Sequence, residues 1–228
     1  LGGLARKATL IDTHTQAEGW DAALVLDSGD LLYDQFKLDT ARSAEIAATA
    51  DFLIEQYNAI GCHGFTPGDR DLLLGHEHLA KLRKKSKFPW ILSNVVDGET
   101  GEPVYEGHVI HDVEGVKVGL FGLVVASGAV QQQVEAAGWK LVDPLESAAA
   151  QITALRDEGA DVIVLLSHLT EKEEELLAKQ VPGITVILGG NNARLIQHPQ
   201  KIGYTYIAES FSKGKYVSAF VLHAWKGA

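Results

Sequence analysis

The chain of 228 residues has 46% hydrophobic residues and 23 glycines, which is typical of a folded α/β protein and excludes a disordered one. Its formal net charge of −10 argues against a general binder of nucleic acid or anionic membranes, because such binders concentrate Lys and Arg on one face. The only cysteine, Cys62, excludes an intramolecular disulfide and a cysteine-rich zinc module.

No apolar run is long enough to span a bilayer. The sequence has no methionine and no segment with the pattern of a secretory leader. We therefore expect a mature or trimmed product, or one whose beginning was not recorded. Without a repeat, linker or low-complexity tract, residues 1–228 are expected to form one domain.

Helical and strand patterns alternate along the chain. Hydrophobic periodicity and terminal signals predict helices at 5–17, 39–60, 75–85, 144–158 and 171–180. Apolar or alternating runs predict strands at 22–30, 89–96, 105–112, 116–124, 161–166, 184–188, 203–208 and 216–225. We expect 105–112 to form a hairpin with 116–124, and the last two strands to form an antiparallel pair.

Polar side chains stand at the ends of four predicted strands: Asp30, the Ser93-Asn94 pair, His168 and Asn191. Since the carboxyl ends of parallel strands meet at one edge of a sheet, we expect these groups to lie close together. Carboxylate, amide and imidazole groups suit manganese, magnesium, iron or zinc better than copper(I). Asp30 also has a second interpretation, as a turn residue that caps the next segment.

Six short segments resemble motifs of one enzyme family in the same order and at similar spacing. They are 2–11 (GGLARKATLI), 26–30 (LDSGD), 88–94 (FPWILSN), 116–123 (VKVGLFGL), 165–169 (LLSHL) and 214–217 (GKYV). The family is the 5′-nucleotidase and UDP-sugar hydrolase branch of the calcineurin-like metallophosphoesterases. The resemblance covers nearly the whole chain.

This resemblance implies a four-layer αββα sandwich, in which two mixed sheets lie between helices, and two metal ions at the strand ends that hydrolyse phosphate esters. The family's Asp-x-His strand would precede segment 2–11, so the first strand is expected to be missing from this chain. The triplet Asp12-Thr13-His14 has the same letters, but we interpret it as the surface of the first helix.

Carried over residue by residue, the resemblance assigns one metal site to Asp30, Asp69, His168 and Asn191. A ligand of the second site is replaced by Ala193, which cannot bind a metal. We therefore expect a single weakly held divalent ion (Mn, Mg, Zn or Fe) or none.

Arg70 stands where the family has its catalytic histidine, so the resemblance makes it the candidate catalytic residue. It has two further interpretations. It either pairs with a neighbouring aspartate and supplies a fixed positive charge in place of a metal, or clamps a phosphate or carboxylate of the substrate. Asn94, at the end of its strand, is the other predicted substrate-binding residue.

Three functions stay open on the sequence. The first is a non-catalytic binding or structural module, and the second is an active phosphate-ester or nucleotide hydrolase with a reduced metal set. The third is a thiol or redox role of Cys62, which would require exposure near the strand ends. The expected ligand is a phosphate-containing small molecule, with a protein partner as an alternative and no nucleic acid. The family is usually exported, so we expect a periplasmic or extracellular protein.

Overall fold

A computed structural model describes residues 3–17, 19–212 and 214–223. The helices are α1 Leu4–Thr15, α2 Ser43–Ile60, α3 Asp69–Leu72, α4 His76–Lys85, α5 Gly128–Ala136, α6 Pro144–Asp157 and α7 Glu171–Gln180. The strands are β1 Leu26–Asp27, β2 Gly64–Phe65, β3 Val95–Asp97, β4 His108–Val113, β5 Val116–Val124, β6 Trp139–Leu141, β7 Val162–His168, β8 Val186–Gly189, β9 Gln200–Ile202 and β10 Thr205–Glu209. Within these ranges, no helix is both long and apolar enough to cross a membrane.

The largest sheet has the strand order β4-β5-β7-β8-β10-β9. Its inner strands β5, β7, β8 and β10 are parallel, whereas β4 and β9 are antiparallel at the two edges. Two shorter pairs, β1-β2 and β3-β6, lie outside this sheet. Because the inner strands are parallel, their carboxyl ends lie at a common edge, which is where α/β proteins place ligands.

The central strands bury both of their faces. Along β5 and β7, Phe121 and Leu165 contact one apolar cluster that includes residues of α6 and α7. Their neighbours Leu120 and Val164 belong to a second cluster on the opposite face. Side chains alternate between the faces of a strand, so an almost continuous apolar run is what a sheet covered on both sides requires. The predicted α/β sandwich is confirmed.

The predicted hairpin is confirmed by the antiparallel pairing of β4 with β5. The predicted helix at 39–60 begins with a short 3₁₀ turn at Thr40–Arg42, continues as α2, and ends at Gly61 with a left-handed φ of 77°. Phe52 of α2 has an apolar side chain but is 53% exposed, so it does not face the core. The sequence interpretation missed α5 and β6 altogether.

The predicted antiparallel pair of 203–208 with 216–225 is wrong for the described residues. Residues 216–223 form no strand, and 224–225 lie outside the described part of the chain. Strand β10 instead pairs with β8 on one side and with β9 on the other. Both of its edges are therefore hydrogen-bonded, which leaves no edge for a further strand. Likewise, the long strand predicted at 22–30 is reduced to β1, which pairs with β2 over two residues.

Gly122 in β5 lies where two backbone segments approach closely. A Cβ atom there would overlap the Ile91 carbonyl oxygen and the Thr66 hydroxyl group. We expect Gly122→Ala to lower the free energy of unfolding by about 2 kcal/mol, because the strand must move away from Ile91. Gly128→Ala is the matched control: nothing lies within 4 Å of its added Cβ, and we expect a change below about 0.5 kcal/mol. Equal effects in urea denaturation would contradict this account.

Candidate metal site at the strand ends

Three ionisable side chains meet at the carboxyl edge of the strands. Asp30 follows β1, Asp69 opens α3 and His168 ends β7, and one ligand atom of each lies within 4.8 Å of the others. Nε2 of His168 is 3.4 Å from Oδ1 of Asp30 and 3.3 Å from Oδ1 of Asp69. His168 is fully buried, whereas the aspartate side chains keep 12% and 19% exposure, so the cluster is accessible from its acidic side.

The orientation of the His168 ring is set by the backbone. Its Nδ1 lies 2.8 Å from the carbonyl oxygen of Ser28. A carbonyl can only accept, so Nδ1 carries a proton and Nε2 faces the two carboxylates. Burial lowers the pKa of His168, but hydrogen bonds with Asp30 and Asp69 raise it to about 10. The two carboxylates therefore create a position that strongly favours a positive charge.

Close backbone approach brings these groups together. Gly29 and Asp30 both have left-handed φ angles, 102° and 56°. A Cβ on Gly29 would lie 2.6 Å from Nδ1 of His168, and one on Gly68 would lie 2.8 Å from its Cε1. Glycine is thus required at both positions. A left-handed conformation at a non-glycine residue such as Asp30 is unfavourable and is more common at functional sites.

The buried carboxylate of Asp71 fixes the loop after Asp30. It accepts hydrogen bonds from the backbone N–H groups of Leu32 at 2.7 Å and of Gly68 at 2.9 Å, with longer contacts to Leu31 and Tyr33. Burial, followed by the nearby charge of Asp30, raises the pKa of Asp71 to about 7. This carboxylate joins the Asp30 loop to the first turn of α3.

Arg70 pairs with Asp30, as its first interpretation expected. Its Nε lies 3.1 Å from Oδ2 of Asp30, although the two are not aligned as a hydrogen bond, and its backbone N–H donates to Oδ1 at 3.1 Å. The guanidinium carbon lies 4.2 Å from the ring centroid of Phe36, an exposed aromatic side chain. Asp30 therefore presents Oδ2 to the Arg70 guanidinium, and Oδ1 to His168 and the Arg70 backbone N–H.

The two predicted asparagines have different surroundings. Asn94 is fully buried; its Nδ2 donates to the Val124 carbonyl at 2.8 Å and its Oδ1 accepts from the Val124 N–H at 3.0 Å. A substrate could reach this amide only if those bonds opened, so its binding role stays a prediction. Asn191 is half-buried and follows Gly190, whose Cα packs against the backbone of Ser28. Its role as a ligand is also untested.

Cys62 does not meet the condition set for a thiol function. It is 9% exposed, its Sγ donates to the Gly64 carbonyl at 3.4 Å, and burial raises its pKa to about 12. A buried, protonated thiol is a poor nucleophile.

The triplet 12–14 lies exposed on α1, as expected for a helix surface.

No family model matches the chain. Two curated proteins are similar over 89% of it: the uncharacterized metallophosphoesterase YunD of Bacillus subtilis, at 31% identity, and the NAD 5′-nucleotidase of Haemophilus influenzae, at 26%. The chain is related to the 5′-nucleotidase-like metallophosphoesterases. It spans 42% and 34% of the lengths of these two proteins, so less than half of either one.

The same sandwich fold also occurs in solved structures of other proteins. The Thermus thermophilus sulfate thiohydrolase SoxB, solved with glycerol, superposes with a TM-score of 0.82 at 24% identity. The match covers 94% of this chain and 39% of SoxB. At this identity the similarity supports the metallophosphoesterase fold and not a shared reaction.

A second ionic cluster, behind the strand ends of this metallophosphoesterase fold, was missed by sequence reasoning. Arg194 contacts the buried carboxylates of Glu174 and Glu209, with Nη2 and Nε at 3.3 and 3.0 Å from their Oε2 atoms. These residues come from different elements and share no spacing that a sequence pattern could show. The acidic sequence of α7 was the only feature of the sequence that indicated an ionic cluster here.

Glu174 should make stability depend on pH. Burial raises the pKa of Glu174 to about 8, above its unfolded value of 4.5, so the folded state holds an extra proton between these values. Stability from this group is complete below pH 4.5 and is lost as pH rises towards 8. We expect Glu174→Gln to reduce the decline in unfolding free energy across this window. The control Glu175→Gln changes a half-buried side chain of α7 whose pKa Lys179 lowers. Parallel urea-denaturation profiles for Glu174→Gln and the unsubstituted protein would contradict the assignment.

Proposed function

We propose that the domain binds one divalent cation through Asp30, Asp69 and His168, and binds the phosphate group of a small molecule beside Arg70, with impaired or absent hydrolysis. The observation that carries this proposal is the division of the Asp30 carboxylate. Its Oδ1 faces His168, and its Oδ2 lies 3.1 Å from Nε of Arg70.

The donor set fits a divalent cation. Two carboxylate oxygens and one imidazole nitrogen converge, and the Ser28 carbonyl already binds the other nitrogen of His168. This combination suits Mn²⁺, Zn²⁺, Fe²⁺ or Mg²⁺, and Asn191 is the proposed fourth ligand. A bound cation would supply Lewis-acid polarisation of a phosphate oxygen.

Arg70 supplies the second positive charge in this proposal. A guanidinium stays protonated at all physiological pH values and offers several N–H donors to a phosphate. It cannot lower the pKa of a bound water as a second metal ion would. Replacing a metal by an arginine should therefore preserve the binding of phosphate better than its hydrolysis.

The alternative is an active hydrolase of phosphate esters or nucleotides with this single-metal site. The intact cluster of three donors favours it, and the name of the Haemophilus relative describes a nucleotidase. Steady-state assays with nucleoside monophosphates and p-nitrophenyl phosphate separate the two, because the alternative expects Asp30-dependent turnover of about 1 s⁻¹ or faster, whereas the main proposal expects far slower turnover or none.

Three further statements belong to the same proposal. Residues 1–228 act as one domain, the protein is periplasmic or extracellular as the family resemblance implies, and the site can also serve a protein partner that carries a phosphate. The net charge of −10 supports the expectation that no nucleic acid binds.

Metal content tests the proposal most directly. After dialysis against Mn²⁺ or Zn²⁺, we expect about one equivalent per chain, because the described residues form a single cluster of such ligands. Asp30→Asn should lose this metal. Asp39→Asn is the control, because Asp39 only caps an exposed turn by accepting from the Ala41 N–H at 3.1 Å. Mass-spectrometric values of two equivalents, or of none, would refute the single-metal site.

The role of Arg70 is tested by phosphate binding. In the Mn²⁺-loaded protein, Arg70→Met should weaken the affinity for inorganic phosphate about 10- to 100-fold, because charge-assisted hydrogen bonds are lost. Arg42→Met is the control, since Arg42 is an exposed arginine that pairs with Glu45 on the next turn. Unchanged phosphate affinity of Arg70→Met in isothermal titration calorimetry would assign Arg70 a purely structural role.

A further inference from the structure

The loop that follows β8, residues 190–193, is anchored on both sides of Asn191. On one side, the Gly190 N–H donates to the Ser167 carbonyl at 2.8 Å. On the other side, the Asn192 side chain accepts from the Glu171 N–H and donates to the Leu169 carbonyl, both at 3.2 Å. The short segment around Asn191 is therefore fixed to β7 and to the start of α7.

Arg194 provides the largest anchor of this loop. Its backbone N–H donates to Oε1 of Glu209 at 2.9 Å, and its Nε donates to Oε2 of the same carboxylate at 3.0 Å. The guanidinium also contacts Glu174 and Glu171 of α7. One side chain thus joins the loop to the last strand of the sheet and to a helix.

This ionic anchor is costly to bury. Glu174 is fully buried and Glu209 is 1% exposed, and one guanidinium faces both of these carboxylates as well as Glu171. Oε1 of Glu174 has no hydrogen-bond partner among the described residues. Buried ion pairs are often no more stabilising than apolar side chains of similar size. The ion pairs of Arg194 are therefore expected to add little to the stability of the fold. Their hydrogen bonds have fixed directions, however, so they can hold the 190–193 loop in one position.

The loop and the metal cluster share a contact point. The Ser28 carbonyl oxygen accepts from Nδ1 of His168, and the Cα of Gly190 packs against the same backbone group. A shift of the loop would therefore move Asn191 relative to the His168 ring. Asn191 is half-buried, and no hydrogen bond of its side chain is formed with any residue that the structure describes. Its amide is the polar group of the loop that is left for a ligand.

We propose that Arg194 is a positioning residue, which holds the 190–193 loop so that the Asn191 oxygen completes the cation site of Asp30, Asp69 and His168. This inference rests on the proposed function. Groups that orient metal ligands from behind typically change metal affinity about 10- to 100-fold when they are removed.

A double-mutant cycle tests the proposal in the full chain. Mn²⁺ affinity is measured by calorimetry for Arg194→Met, Asn191→Ala and the double variant. We expect each single change to weaken binding about tenfold, and the double variant to be hardly weaker than either one, because both act through the Asn191 oxygen. Effects that multiply in the double variant would overturn the proposal, because Arg194 would then act independently of Asn191.

Two further variants separate positioning from general stability. Asn192→Ala releases the same loop without leaving buried carboxylates unpaired, so it carries the test if Arg194→Met does not fold, and it should weaken Mn²⁺ binding in the same non-additive way. Arg83→Met is the matched control, since the Arg83 guanidinium donates hydrogen bonds to the Val104 carbonyl and the Glu106 carboxylate, away from the 190–193 loop. It should lower stability without changing Mn²⁺ affinity.

The outcomes distinguish the two proposals. If the unsubstituted protein binds no Mn²⁺, the proposed function fails, and this inference fails with it. If the unsubstituted protein binds Mn²⁺ and folded Arg194→Met and Asn192→Ala bind it equally well, only the positioning role fails.

Discussion

The sharing of the Asp30 carboxylate between two positive partners is the interaction on which the site depends. One oxygen faces His168 and the backbone N–H of Arg70, and the other faces the Arg70 guanidinium. This arrangement requires Asp30 to adopt a left-handed φ of 56° directly after Gly29, which costs conformational energy. The bonds from the Asp71 carboxylate to the backbone on both sides of the site oppose that cost, because they leave the loop little freedom to relax.

The cluster is held together by the attraction between the His168 ring and the carboxylates of Asp30 and Asp69. The buried His168 ring would lose its proton in an apolar environment, and the two adjacent carboxylates reverse that tendency. The same carboxylates would repel each other without a cation between them. The site therefore selects for a positive charge at the Nε2 position, whether it is a proton on His168 or a metal ion that replaces the proton. On the proposed function, competition between these two occupants would make metal binding depend on pH.

The sequence predicted that Asp30, Asp69 and His168 lie together, whereas their role as metal ligands stays a prediction. Buried apolar strands with polar ends predicted that Asp30 and His168 lie close together, and the family resemblance added Asp69. They do lie close together, although Asp30 follows β1, which is outside the six-stranded sheet. The sequence could not predict the partner of Arg70, because the choice among three nearby aspartates depends on the turn at Gly68. It also missed the link from Arg194 to Glu174 and Glu209, which joins residues 15 and 20 positions apart without any periodic signal.

The prediction of a strand at 216–225, which is wrong for the described residues 216–223, failed for a related reason. Its alternating pattern resembled a strand, but pairing depends on which sheet edges are free, and β9 already occupies the outer edge of β10. The function, like strand pairing, depends on the neighbours of a residue as well as on its identity. The identities of the site residues show which donors are present, whereas the charge that each can accept depends on its neighbours. A metal ion on one oxygen of Asp30 can exchange, but an arginine on the other cannot leave. On the proposed function, the His168 side of Asp30 therefore gains or loses its positive charge with the concentration of metal ions. The Arg70 side keeps its positive charge and can bind an anion at any metal concentration.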